Sequence, residues 1–217
     1  MGENIQKQST GNTKIIDFIE DLASNSPAPG GGAVAALSGG LAVALSSMIY
    51  NLTIGKKSYY NLEKDIQDKL NKNLEECKYL YKEMLEYMDK DKEAFLNLMA
   101  CYKMPKETDE DKILRENTME KCTIEAMNVP LNLAKLSIKF YDNIYFAVKY
   151  GNKNLVSDAK ISAIMLNACI ESSIVNVEVN LNLLKNIDII ERVKKDIEGL
   201  NVINNSLKKD IMNIHYY

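Results

Sequence analysis

Apolar residues recur every three or four positions along most of the chain, and no stretch alternates apolar and polar residues between hairpin turns. That period predicts helix and not strand. A first amphipathic helix is expected over 13–23, with Ile15, Ile16, Phe18, Ile19 and Leu22 on its apolar face. A loop over 24–31 leads into an uncharged helix over 32–53, and 56–101 reads as one long helix. Pro105 and Asp109 open another helix that ends near Asn128, and Pro130 stands where the first turn of the next should be. Gly151-Asn152 breaks that one, Asn154 or Ser157 caps a successor, and the remainder gives one or two helices to about residue 213. The expected fold is all-α, a single-domain bundle of six to eight helices over residues 1–217, with residues 1–12 a flexible N-terminal segment.

Between Leu22 and Gly55 there is no charged residue, a span long enough to cross a bilayer. Its serines, glycines and alanines make it too polar and too small for a lipid-facing span, so a helix buried on all sides within the bundle is expected and no membrane. Ala35 and Gly39, Ala36 and Gly40, and Gly40 and Ala44 are small residues four apart. They let a second backbone come close, from a helix of this chain or from the same helix of a second subunit.

Composition changes the picture mainly by exclusion. The chain has 217 residues, Lys+Arg 27, Asp+Glu 30 and a net charge of −3, which argues against a nucleic-acid partner. Its single histidine, His215, stands near the C-terminus, so Ser-His-Asp, Cys-His and His-ligated zinc chemistry are not expected. Cys77, Cys101, Cys122 and Cys169 are scattered without a CxxC pair and read as reduced core thiols. Met1-Gly2-Glu3-Asn4 begins no basic, then apolar, export signal, so cytoplasm is the expected compartment. Proton transfer would fall to carboxylates, lysines, tyrosines, thiols or water.

Four places could carry chemistry. The loop Ser26-Pro27-Ala28-Pro29-Gly30-Gly31-Gly32-Ala33 runs into a helix N-terminus, where unpaired N–H groups can meet an anion; it is either a ligand loop or a sharp corner. Asp91 falls in the inward stripe of the long helix between Met88 and Phe95. A carboxylate there must find a cation or water, or have its pKa raised toward acid–base work. In the turn Gly151–Ala159, Asp158 would lie in the first turn of a helix, a position the helix dipole favours whether or not it has a function. Asn176 and Asn180 share one face of an otherwise apolar helix and either line a polar pocket or face solvent. Lys56 and Lys106 are surface cations unless the substrate is an anion.

Together these segments resemble the formimidoyltetrahydrofolate cyclodeaminase family, which also contains methenyltetrahydrofolate cyclohydrolases. The resemblance rests on the proline-glycine loop with Val34-Ala35-Ala36, Asn51 to Lys57, Asp91 with Ala94-Phe95, Pro105-Lys106, Val129-Pro130-Leu131, Gly151 to Ala159 and Asn176-Val177, over about residues 13–207. Ala33 departs from the serine often found after the triple glycine. The resemblance implies an all-helical homodimer that acts on a folate, mono- or polyglutamylated, without metal or redox cofactor. It would close 5-formimidoyltetrahydrofolate to 5,10-methenyltetrahydrofolate with loss of ammonia, or open the methenyl compound to 10-formyltetrahydrofolate; a non-catalytic folate-binding protein is the alternative of another class. It implies Asp158, Asp91 and Lys106 as catalytic residues, with one of the two aspartates as acid–base. Pro29, Gly30, Gly31, Gly32, Lys56, Asn154 and Asn176 would hold the substrate, Lys106 and Lys56 meeting its glutamate carboxylates.

Overall fold

The computed structural model describes residues 9–214, and they form eight α-helices: α1 (Ile15–Leu22), α2 (Gly31–Asn51), α3 (Lys57–Tyr60), α4 (Lys64–Tyr102), α5 (Asp109–Ile138), α6 (Tyr141–Tyr150), α7 (Val156–Leu181) and α8 (Ile187–Met212). No strand occurs among the described residues, so the expected all-α bundle is the observed one. Residues 1–8 of the segment expected to be flexible, and His215, lie outside the described residues. Thr10–Asn12 forms a 3-10 turn fixed to α4, where Asp89 accepts from Ser9 Oγ at 2.5 Å and from the Thr10 N–H at 2.8 Å.

Four long helices, α2, α4, α5 and α7, make the body, each antiparallel to its neighbours. Gly32 meets Asp91 and Tyr50 meets Asn73, which runs α2 against α4; Gly31 meets Asn176 and Ser46 meets Ser162, which runs α2 against α7. Ala126 with Asn180, and Ser137 with Cys169, set α5 against α7 in the same way. Lacking charge, α2 can bury Ala35, Ala36, Ala42, Val43 and Ile49 at once. Ala35, Ala36, Gly39 and Gly40 are buried while Ala44 is exposed; a Cβ on Gly39 would lie 2.7 Å from Met84 Sδ and 2.9 Å from Cys169 Sγ, so at this glycine the close approach is to α4 and α7 of the same chain. Along α4 the apolar stripe delivers Leu70, Cys77, Met84 and Met88 to this core, each such side chain contributing about 1.5–3 kcal/mol by leaving water. Of the apolar face of α1, only Phe18 is buried.

Among the described residues two helical segments are long and apolar enough to cross a membrane, α2 and the segment 153–181. They are the central antiparallel pair, with 56% and 50% of their most apolar windows buried in the fold.

Three local expectations are corrected. The helix expected over 56–101 is broken at Asn61–Glu63, where the Leu62 N–H turns back to the Tyr59 carbonyl and extended Glu63 opens α4 afresh. Pro130 does not start a helix; α5 runs straight through it. Proline has no N–H for the carbonyl four residues back, and that carbonyl, Ala126's, instead accepts from Asn180 Nδ2 at 3.3 Å. Neither Asn154 nor Ser157 caps α7. Asn152 does the capping one turn earlier, its Oδ1 accepting from the Asn154 N–H at 3.1 Å ahead of a 3-10 turn over Lys153–Leu155.

Candidate active site

At the end of the bundle where α2 begins, the proline-glycine loop, the second half of α4, the middle of α5 and the end of α7 enclose a cleft of about 330 Å³. Ser26 tightens the loop by donating from Oγ to the Ala28 carbonyl at 2.7 Å, and Gly30 caps α2. Gly30, Gly31, Gly32 and Asp91 form the polar side of the cleft; Phe95, Leu98, Met99 and Val179 supply apolar walls.

Asp91 reaches this cleft because it continues the inward stripe of α4 past Met88. There it meets the first turn of α2, whose Ala33 N–H donates to its carboxylate. The approach is so close that a Cβ on Gly32 would stand 2.0 Å from Asp91 Oδ1 and 2.2 Å from Cγ. Only glycine leaves room for the carboxylate at that helix start. Burial pushes the Asp91 carboxyl above the usual carboxylate range, and the Ala33 N–H works against that rise by favouring the charged form. A partly buried carboxylate of this kind, open to a cleft, holds a proton more readily than a free one and is placed to exchange it with a ligand.

The two asparagines line the opposite wall of the same cleft. Asn176 donates from Nδ2 to the Ser172 carbonyl at 2.9 Å and sets its amide opposite Gly31, while Asn180 bridges to Ala126 on α5. Both N–H groups of the Asn180 amide are engaged by backbone carbonyls, those of Ala126 and Asn176, so it can offer only its oxygen to a ligand; Asn176 uses one N–H and can offer the other and its oxygen.

A second cavity of about 420 Å³ adjoins the first and shares Tyr102 and Leu183 with it. Lys106, Lys112, Arg115 and Lys185 line it together with Glu116 and Glu120. Lys185 pairs with Glu116 at 2.5 Å and Lys112 with Asp109 at 2.8 Å.

The structure thus brings Gly30, Gly31, Gly32, Asp91 and Asn176 together and places Lys106 next door. Pro29 is buried behind the loop and lines no part of the cleft; Pro27 and Ala28 take that place. Lys56, Asn154 and Asp158 sit at the far end of the bundle, where Thr53 Oγ1 accepts from the Asn152 N–H at 2.8 Å. From Asp158 to Asn176 along α7 is about 27 Å. Within one chain these three residues do not meet the cleft.

Sequence reasoning passed over Met99 and Tyr102 as site residues. Met99 belongs to the inward stripe that carries Asp91, and Tyr102 follows one turn later, so the spacing held the signal. Cys77, Cys101 and Cys169 are buried core thiols, whereas Cys122 is only half-buried. Cys101 and Cys122 stand 3.1 Å apart between α4 and α5, and their hydrogen bond, with burial, pushes Cys122 up to about 11, far from a reactive thiolate. Among the described residues no group of three or more His, Cys, Asp or Glu is placed to hold a metal.

A family model described as formiminotransferase-cyclodeaminase matches residues 14–199. The chain is 36% identical over 190 residues to methenyltetrahydrofolate cyclohydrolase of Methylorubrum extorquens, covering 88% of this chain and 89% of that protein. It is 27% identical over 175 residues to formimidoyltransferase-cyclodeaminase of Mus musculus, of whose length it spans 32%. The crystal structure of formiminotetrahydrofolate cyclodeaminase from Thermotoga maritima has the same fold, with a TM-score of 0.80 at 24% identity over 92% of this chain and 94% of that one.

Proposed function

This chain belongs to the formiminotransferase-cyclodeaminase family, and from that membership we propose that it is a folate one-carbon enzyme, a methenyltetrahydrofolate cyclohydrolase. The observation that carries the proposal is Asp91, a carboxylate raised in pKa by burial and aimed into an apolar-walled cleft beside the N-terminus of α2. Water adds its oxygen to the methenyl carbon between N5 and N10, and Asp91 takes the proton. The bond from that carbon to N5 then breaks and the proton passes from Asp91 to N5. The remaining hydroxyl proton leaves to solvent, which gives 10-formyltetrahydrofolate. The first N–H groups of α2 have no acceptor inside the helix. Ala33's goes to Asp91, and those of Gly31 and Gly32 lie where oxygen charge develops on the tetrahedral carbon.

The cyclodeaminase reaction, in which N10 attacks the formimidoyl carbon and ammonia departs, is the second reading, supported by the relatives of that name. It passes through the same tetrahedral carbon and makes the same demand on Asp91. The cyclohydrolase reading stands first because the relative of that name matches over nearly its whole length.

We further propose a homodimer. Packed side by side, α2 and α7 both leave apolar side chains in water: Val34 and Leu41 on one, Ile161, Ile164, Val175 and Val179 on the other. A second copy laid antiparallel on this face covers it. It also sets the Asp158 end of one subunit beside the Asp91 end of the other, the arrangement in which Asp158, Asn154 and Lys56 join the site.

Purified protein given 5,10-methenyltetrahydrofolate should bleach its near-ultraviolet absorbance far faster than buffer. If it releases ammonia from 5-formimidoyltetrahydrofolate instead, the cyclodeaminase reading replaces it. Tight binding with no turnover of either compound would leave a non-catalytic folate-binding protein.

A further inference from the structure

The second cavity is not used by the chemistry at Asp91, yet it is a cation-lined chamber opening from the same cleft. Arg115 differs from the other cations there. Lys185 and Lys112 have carboxylate partners, whereas Arg115 Nε is buried and has no hydrogen-bond partner. A buried guanidinium nitrogen without an acceptor costs desolvation free energy that nothing in the chain returns. An arginine presents a planar set of donors matched to a carboxylate, and Arg115 lines the cavity from which one would approach.

The route to it is continuous. Asp91 and Tyr102 lie on one helix, about 16 Å apart along its axis, and Tyr102 and Leu183 belong to both cavities. The walls change character along that path, from Phe95, Leu98 and Met99 near Asp91 to Lys106, Arg115 and Lys112 beyond Tyr102. The glutamates at 116 and 120 are the cavity's only acids, and Glu116 is engaged by Lys185, so the chamber keeps a positive excess. Resting on the folate reading above, we infer that Arg115 binds the glutamate carboxylate of the substrate, its arm running along α4 past Tyr102, with Lys106 meeting further carboxylates of a longer tail.

Steady-state kinetics on two substrates test this: 5,10-methenyltetrahydrofolate and the corresponding methenyltetrahydropteroate, which lacks the glutamate. In wild type, loss of the glutamate should raise KM about 10-fold or more. Arg115→Gln should raise KM for the glutamate-bearing substrate by a similar factor with kcat within about twofold. The same variant should no longer distinguish the two substrates, and Arg115→Lys should recover part of the discrimination. Unchanged KM in Arg115→Gln, or an equal loss on both substrates, would overturn the assignment. Circular dichroism and the melting temperature of the variant separate misfolding from lost binding. Absence of turnover by wild type on both substrates would instead overturn the cyclohydrolase reading from which these two substrates are chosen.

Discussion

The carboxylate of Asp91 accepts the Ala33 N–H and fills the space that a side chain at Gly32 would need. It serves as helix cap and candidate base together, and these roles pull its pKa in opposite directions, burial upward and the N–H downward, with burial prevailing. Asp91→Asn keeps an acceptor for Ala33 but cannot take a proton, so kcat should fall about 10²- to 10⁴-fold with the helical spectrum intact. The wild-type kcat/KM profile should rise with pH through a value above the usual carboxylate range, and that limb should vanish in the variant. Stability moves the other way. The folded state holds this proton to higher pH than the unfolded chain does, so wild type should lose stability relative to Asp91→Asn as pH climbs through the same window. Urea unfolding of both proteins across that range checks the sign. The apolar spacing of α4 was enough to point Asp91 inward. That it would meet a glycine far earlier in the chain was not legible, because periodicity says which face a residue takes and nothing about what stands opposite.

Helix α5 shows how one element depends on another. The Val129-Pro130 step ought to end a helix, and on local rules the boundary was expected there. What keeps α5 whole is Asn180 of α7, which donates to the Ala126 carbonyl that Pro130 cannot reach. The same bridge ties two walls of the cleft together, since Ala126 and Asn180 both line it. Asn180→Leu should cost about 1 kcal/mol, seen as roughly 2–4 °C in melting temperature. Pro130→Ala restores an N–H to the helix, so in that background the loss from Asn180→Leu should shrink; equal losses in both backgrounds would deny the coupling. No reading of α5 by itself could have found this, because the compensating group belongs to a helix fifty residues away. The stop between α3 and α4 escaped for a related reason: the apolar stripe continues across Asn61–Glu63, and only the turn of Leu62 back onto Tyr59 reveals the break.

For the whole molecule, the antiparallel course of α2 and α7 sorts the family-like segments into two groups at opposite ends. Gly30 to Gly32, Asp91 and Asn176 occupy one, and Lys56, Asn154 and Asp158 the other, about 27 Å away along α7. The sequence presents these segments in order but cannot say which end of a bundle each will reach, since that depends on which connections reverse the chain. The apolar edges of α2 and α7 run between the two groups. A two-fold contact there is isologous, so each subunit can complete the other's site. Leu41→Glu places a charge in the middle of this face, at a residue 47% exposed in the single chain. It should leave the monomer folded while light scattering reports half the mass and activity falls. A mixing experiment then asks where Asp158 acts. Asp91→Asn and Asp158→Asn subunits, each nearly inactive alone, are combined and allowed to exchange. If sites are shared, half of the randomly paired dimers carry one site with both aspartates intact, and activity should recover to about a quarter of wild type. If each chain holds its own complete site, mixing recovers nothing, and Asp158 is then confined to a structural place at the start of α7.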